Sequence, residues 1–315
     1  MRKSLAILTV LMLAAMVGVA SAGEKQIRLG LALQTIQNPF YLTLKAGAEK
    51  AAAELGNVQV ISVGAEHSVD LTTQVKQIED FIQMKVDVIG VVAIERKGII
   101  PTIEKANRAG IPVITVDTDA DGGKREAYIA TDNVLGGRLG AEWIIKMLDG
   151  KGKIAVLEGA PGSQVNDLRL QGFREAMKKA EGVRVVSSLA ANWRRDTGMN
   201  VMNDILTAQP DIQAVMALND EMALGAMEAI KARGKSKQVL LVGYNGAAEA
   251  IQQVYKGAMA ADVVQYPERI GDLFVRWSLR ILKGEKPAKF HIDSGVNVVD
   301  TVLMQKVVPA ALQGR

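Results

Sequence analysis

The chain has 315 residues, 49% hydrophobic and 23% charged, with 30 Gly, 8 Pro and no Cys, a composition that fits a folded globular protein and excludes disordered and collagen-like ones. The missing cysteine excludes disulfides, a thiolate nucleophile and Cys-ligated zinc or iron–sulfur centres. Two histidines, His67 and His291, are too few for a multi-histidine metal site. The formal charge of +4 is spread among acidic residues without a basic block, so no nucleic-acid partner is indicated.

Met1 to Ala22 begins with Arg2 and Lys3, runs apolar from Leu5 to Val19 and ends Ala20-Ser21-Ala22. That pattern predicts a secretory signal peptide over residues 1–22, cleaved before Gly23. The apolar run is short for a bilayer span, and no Cys follows it to carry a lipid. The mature chain is therefore expected to be soluble and exported. Losing the two charges of Arg2 and Lys3 lowers the formal charge from +4 to +2, which weakens any argument from basicity.

The rest alternates strand and helix. Ile27 to Leu33 is an aliphatic run followed by an Ala-rich segment of helical spacing, Phe40 to Leu55. Strands are then expected at Val58–Val63, Val86–Val92 and Ile111–Val116, between helices at Leu71–Met84 and Ile99–Ala109. Further strands fall at Ala127–Ala130, Lys153–Glu158, Val183–Leu189, Ile212–Leu218, Gln238–Tyr244 and Ala260–Val264. Helices are expected between them at Leu135–Leu148, Val165–Lys179, Gly198–Thr207, Glu221–Ala232 and Ala247–Lys256. Continuously apolar strands imply a parallel sheet buried on both faces. About ten such units exceed one open sheet of ordinary width, so an α/β protein of two lobes is the expected fold rather than a single barrel. The polar stretch Thr118 to Glu126 is expected to be a crossover between lobes.

Ligands of open parallel sheets sit beyond the carboxyl ends of the strands. Aromatics make up 4% of the chain, yet Phe40, Tyr41, Trp193, Tyr244 and Tyr266 all stand in such turns. Asn38, Asp117, Thr118, Asn219, Asn245 and Gln265 stand beside them. Rings that pack on C–H faces, next to amides and carboxylates that satisfy hydroxyls, suit a polyhydroxylated ligand. Several residues also have plain structural roles. Asp220 and Asn133 are placed as helix N-caps, Pro39 suits a first helical turn, and Met216, Met222, Met227, Trp143 and Trp277 are spaced as core filling. His67 is left out of the site.

The segments QNPFYLTLKAGAEKAAAELG, IPVITVDTDA, ATDNVLGGRLGAEWI, NDEMALGAMEAI and VGYNGAAEAI, with the tail QYPERIGDLFVRWSLRILKGEKP, resemble the ribose-binding type of periplasmic sugar-binding protein over essentially the whole mature chain. The resemblance implies two Rossmann-like lobes with parallel sheets, joined by a three-crossover hinge, with the ligand cleft between them. It assigns residues 25–131 plus 266–293 to the N-terminal lobe and 132–265 plus 294–315 to the C-terminal lobe. It implies ligand roles for Asn38, Phe40, Tyr41, Asp117, Trp193, Asn219, Tyr244, Asn245 and Gln265. Three positions depart from the ribose-binding pattern. Thr118 and Asp167 stand where arginines are expected, with Arg169 two positions after Asp167, and Asn245 replaces an Asp. These changes count against ribose itself and leave a neutral sugar or sugar alcohol as the expected ligand.

The resemblance further implies a periplasmic monomer that delivers its sugar to an inner-membrane ABC permease, with a chemotaxis receptor or sensor kinase as a second reading of its partner. No cofactor, metal or catalytic residue is expected. A DNA-binding regulator with the same lobes would need a helix-turn-helix ahead of the first one. Enzyme signatures fail as well. Gly234-Lys235-Ser236 lacks the earlier glycine of a phosphate loop, where Ala229 stands, and precedes a strand. Gly136, Gly137 and Gly140 lack the first spacing of a dinucleotide fingerprint. Paired Asp117 and Asp167 would be the carboxylates of a sugar-active enzyme, but the resemblance makes them hydrogen-bonding groups.

Overall fold

The structure, a computed structural model, describes residues 25–66 and 70–307. The expected signal peptide, the last residues of the C-terminal lobe and His67 lie outside the described residues.

Two six-stranded sheets carry the chain. In the first, β1 (Ile27–Thr35), β2 (Val58–Ala65), β3 (Val88–Val91), β4 (Val113–Val116), β5 (Ala127–Ala130) and β11 (His291–Asp293) are ordered β11-β5-β4-β3-β1-β2, all parallel. The second holds β6 (Gly152–Glu158), β7 (Val183–Ala190), β8 (Ala214–Ala217), β9 (Leu240–Asn245), β10 (Ala261–Gln265) and β12 (Val296–Asp300). Its order is β12-β10-β9-β8-β6-β7. The central strands are wholly buried because helices cover both faces, so β3, β4, β5 and β8 contain no exposed position. The short strands β11 and β12 are not among the sequence expectations. They are three and five residues long, too short for a clear period, and β12 runs antiparallel to β10.

The chain passes between the sheets three times, after β5, after β10 and between β11 and β12. These connections are tied to one another. Ser294 N donates to Ala130 O at 2.9 Å, and the hydroxyls of Thr131 and Ser294 meet at 3.1 Å. The stretch from Thr118 to Glu126 is therefore not a crossover, because it joins β4 to β5, adjacent strands of the first sheet. Its polar residues serve the loop itself. Asp119 accepts from Thr115, from the Ala120 amide and from Arg125 Nε at 2.9 Å, which satisfies a buried carboxylate and fixes the bend.

Three helix pairs orient the strand ends. They are α1 (Pro39–Leu55) on α9 (Pro267–Leu282), α4 (Asn133–Met147) on α5 (Gln164–Met177), and α6 (Arg195–Ala208) on α7 (Asp220–Ala232). Each crosses at glycines. A Cβ on Gly137 would lie 2.0 Å from the Arg169 carbonyl oxygen, and one on Gly172 would lie 1.9 Å from that of Val134. Gly137 thus serves backbone-to-backbone packing, and Gly136 leaves room for Tyr244, whose hydroxyl would lie 2.0 Å from a Cβ there, which explains why the pair forms no nucleotide loop. The remaining helices are α2 (Leu71–Gln83), α3 (Ile100–Arg108), α8 (Ala248–Lys256) and α10 (Thr301–Val307). Met216 and Met222 are buried in the second core, and Trp143 and Trp277 pack against the two cores. Among the described residues no helix is long and apolar enough to cross a membrane.

Candidate functional site

Strand ends from both lobes line one cavity at their junction. The first lobe supplies Gln34, Asn38, Phe40, Tyr41, Asp117 and Thr118, and the second supplies Ser163, Val165, Arg169, Trp193, Asn219 and Asn245. The lobes also touch directly at its edge, where the Asp119 amide donates to the Gln164 side-chain oxygen at 2.8 Å.

Asp117 ends β4 with φ 59°, a left-handed conformation rare outside glycine and concentrated at functional sites. Its backbone is held on both sides, since its amide donates to Ile129 O at 2.8 Å and its carbonyl accepts from the Tyr128 hydroxyl at 2.9 Å. The carboxylate accepts on Oδ2 from Thr118 Oγ1 at 3.2 Å and from the Tyr41 hydroxyl at 3.4 Å. Oδ1 is buried without a partner. Burial pushes the Asp117 carboxyl up to about 6, against the opposing pull of Arg169, Thr118 and Tyr41. Burial first, and then the Asp117 charge, raise Tyr41 well above the ordinary phenol range. A buried acceptor with a free oxygen is costly unless a ligand donates to it.

The second lobe presents a cation. Arg169 rises from the first turns of α5 and is buried. Its Nε donates to Asn133 Oδ1 at 2.9 Å, and Nη1 donates to Leu218 O and to Asn245 Oδ1 at 3.5 Å. The guanidinium carbon lies 3.7 Å from the Tyr244 ring centroid and 5.7 Å from that of Trp193. Trp193, with φ 64°, is seated against Gly159, where an added Cβ would fall 1.9 Å from the indole. Asn245 has φ 140° and receives Gln265 Nε2 at 2.8 Å. Unusual backbone geometry thus falls on three cavity residues, Asp117, Trp193 and Asn245.

Asn38 and Asn219 have a second duty as N-caps. They accept from the Phe40 and Met222 amides, each at 2.9 Å, and Asn219 Nδ2 donates to Trp193 O at 3.1 Å. The caps of α7 and α4 are Asn219 and Asp132, one residue before the expected Asp220 and Asn133. Asn133 instead faces inward to Arg169.

Nine of the expected residues line the cavity: Asn38, Phe40, Tyr41, Asp117, Thr118, Arg169, Trp193, Asn219 and Asn245. Three do not. Asp167 is exposed on α5, because the helix turns it away from the face that presents Arg169. Tyr244 lies behind Arg169 as its π-face. Gln265 stands behind Asn245 and keeps Oε1 unpartnered. Of the two, Arg169 and not Asp167 brings its side chain to the cavity. Ser163 and Val165 were missed, although they follow β6 and the same strand-end rule reaches them. Gln34, near the end of β1, is not among the expected residues; it donates to Ala93 O at 2.8 Å.

A larger cavity of about 840 Å³ adjoins at Phe40 and Asn245, between α1, α8 and the start of α9. At its rim Lys50 pairs with Glu268 at 3.0 Å, and Glu54 and Asp272 are held by Arg276. The smaller cavity is the better candidate, since an unpartnered carboxylate oxygen, a guanidinium and an indole converge there.

Residues 29–286 match the family model described as periplasmic binding protein domain. The chain is 39% identical to the ribose import binding protein of Bacillus subtilis, over 85% of this chain and 86% of that protein. A solute-binding protein of Actinobacillus succinogenes with bound D-allose superposes with a TM-score of 0.84 at 30% identity, covering 89% of this chain and 99% of that one. One from Bacillus halodurans with bound myo-inositol gives 0.83 at 26%, covering 90% and 98%. With its two wound lobes, three crossings and strand-end cavity, the chain belongs to the periplasmic binding protein family.

Proposed function

We propose that this protein binds a neutral monosaccharide or cyclic polyol between its lobes, in the periplasm, and delivers it to an ABC permease. The observation that carries the reading is the opposition of Asp117 and Arg169. One carboxylate from the first lobe and one guanidinium from the second face a shared cavity whose wall includes the Trp193 indole. A hydroxyl can donate to Asp117 Oδ1 while a neighbouring oxygen accepts from Arg169, so a polyhydroxylated ring bridges both lobes with no net charge of its own. Contacts to both lobes exist only when they are closed, so the ligand shifts the population toward the closed form. The ribose import binding protein and the solved relatives with bound D-allose and myo-inositol support this ligand class.

Binding occurs without turnover in this reading. Asp117 is the one carboxylate among the described residues that line the cavity, whereas glycosidase chemistry needs two. The lobes are assigned as residues 25–131 plus 266–293 and 132–265 plus 294–315, rocking about the three crossings. The protein works as a monomer after removal of residues 1–22, and the closed form is also the surface a chemoreceptor would read. A thermal-shift and calorimetric screen against D-ribose, D-allose, myo-inositol, other pentoses, hexoses and sugar acids, with the recovered ligand analysed, tests the proposal. Stabilisation by one or a few neutral compounds recovered unchanged is expected. Response to sugar acids alone, or recovery of a product, overturns it.

A further inference from the structure

A second pair of acidic side chains lies behind the cavity, outside the set described above. Asp220, the first residue of α7, and Asp262, in β10, are both fully buried. They approach each other over Gly243 of β9: a Cβ built there would lie 2.7 Å from Asp220 Oδ1 and 2.7 Å from Asp262 Oδ2. Those same two oxygens have no hydrogen-bond partner when both groups are ionised. The other oxygen of each holds the turn that follows β9. Asp220 Oδ2 accepts from the Ala247 amide at 2.7 Å, and Asp262 Oδ1 accepts from the Gly246 amide at 3.1 Å.

We propose that Asp220 and Asp262 share a single proton and together act as positioning residues for Asn245, clamping the backbone of Gly246 and Ala247 immediately after it so that the Asn245 side chain is aimed into the cavity. The inference rests on reading Asn245 as a ligand group. Two facing carboxylate oxygens in a dry site repel, whereas one proton between them turns the same contact into a hydrogen bond. Burial raises both carboxyls, and the Asp220 charge raises Asp262 further. The groups facing the pair are Arg169 from α5, whose charge opposes the rise at Asp220, the backbone of β9, and Met259 ahead of β10. The acidic groups at the same end of α7 and α8, Glu221 and Glu249, are engaged at the surface by Arg195. Asn245 needs such a clamp because its φ of 140° is one that a side-chain-bearing residue rarely holds by itself.

The test uses the full chain without ligand, so its result stands apart from any sugar screen. Carboxyl carbon shifts of Asp220 and Asp262 are followed by NMR against pH, together with exchange of the Gly246 and Ala247 amides corrected for intrinsic pH dependence. The pair is expected to retain one proton at neutral pH and to lose amide protection as that proton leaves. Asp262→Asn, which keeps an acceptor for Gly246 and offers a donor to Asp220, should preserve protection and remove its pH dependence. Asp262→Ala should speed exchange about tenfold or more, the effect of losing a hydrogen bond to a charged group, and move the Asn245 Cα shift. If Asp262→Ala does not fold, the titration and Asp262→Asn decide the matter. Two carboxyls both ionised at neutral pH, or the same pH course in Asp262→Asn as in the parent, overturn the proposal. So does unchanged protection in a folded Asp262→Ala.

Discussion

Arg169 lies flat on Tyr244, its guanidinium carbon 3.7 Å from the ring centroid, and both side chains share Asn133 Oδ1, at 2.9 and 3.3 Å. The cation is thereby fixed on one face by a ring and along its edge by oxygens before any ligand arrives. Burial raises Tyr244 to about 12, with Arg169 opposing, so the phenol stays neutral and serves as π-face and donor. Arg169→Lys keeps the charge but loses the planar fork. It should destabilise the protein by about 2–4 kcal/mol and weaken ligand binding at least about tenfold, as read by denaturant unfolding and calorimetry.

Asp117→Asn should separate stability from binding. The buried carboxylate has one oxygen with no donor, and the amide removes that charge. The unliganded variant should be as stable as the parent or more so near neutral pH, while ligand affinity falls, the trade expected of a site strained for function. A variant less stable and equally tight in binding would contradict this.

The same group sets a pH dependence. Its folded carboxyl, at about 6, lies above the ordinary 3.8, so the folded state holds the proton more tightly than the unfolded chain. Its stabilising contribution is complete below 3.8 and is lost as pH rises through about 6. Ligand hydroxyls donate to the ionised form, so affinity should move the other way and weaken as pH falls below about 6. Paired melting and titration curves across this window check both signs.

Trp193→Ala should abolish ligand-induced thermal stabilisation while leaving the unliganded fold intact, because the indole is only half-buried and packs on Gly159. Asn38→Ala should lose the same ligand effect and also about 1 kcal/mol of stability with the α1 cap. Trp193→Phe should restore part of the ligand response.

Gly172→Ala probes the scaffold rather than the site. Its Cβ would meet the Val134 carbonyl oxygen at 1.9 Å, and neither backbone can swing aside as a side chain would. A loss of about 3 kcal/mol or more is expected. Affinity should fall with it, because α5 carries Arg169.

The strand and helix pattern is legible because the parallel sheets are buried on both faces, so Leu29–Leu33 and Ala214–Leu218 read as unbroken apolar runs. β11 and β12 escaped because edge strands such as HID need no such run. The lobe crossing was misplaced at Thr118–Glu126 because clustered Asp, Gly and Lys mark a loop without saying whether it returns to its own sheet. Only pairing of β5 with β4 decides that. The cavity was mostly legible from residues after strands. Side-chain direction on a helix was not: Asp167 and Arg169 are two residues apart, and such residues point to different faces. Tyr244 and Gln265, expected to touch the ligand, stand one layer behind the cavity residues they support.

The threefold passage of the chain between lobes also bears on how the protein is made. The first sheet lacks its edge strand β11 until residues 291–293 exist, and the second lacks β12 until residues 296–300. Neither sheet can be completed by a growing chain until these edge strands have been synthesised, after every other strand of both sheets, although domains of uninterrupted sequence can fold one after another as they emerge. Final assembly of the first lobe is thereby deferred until the second has been almost wholly synthesised.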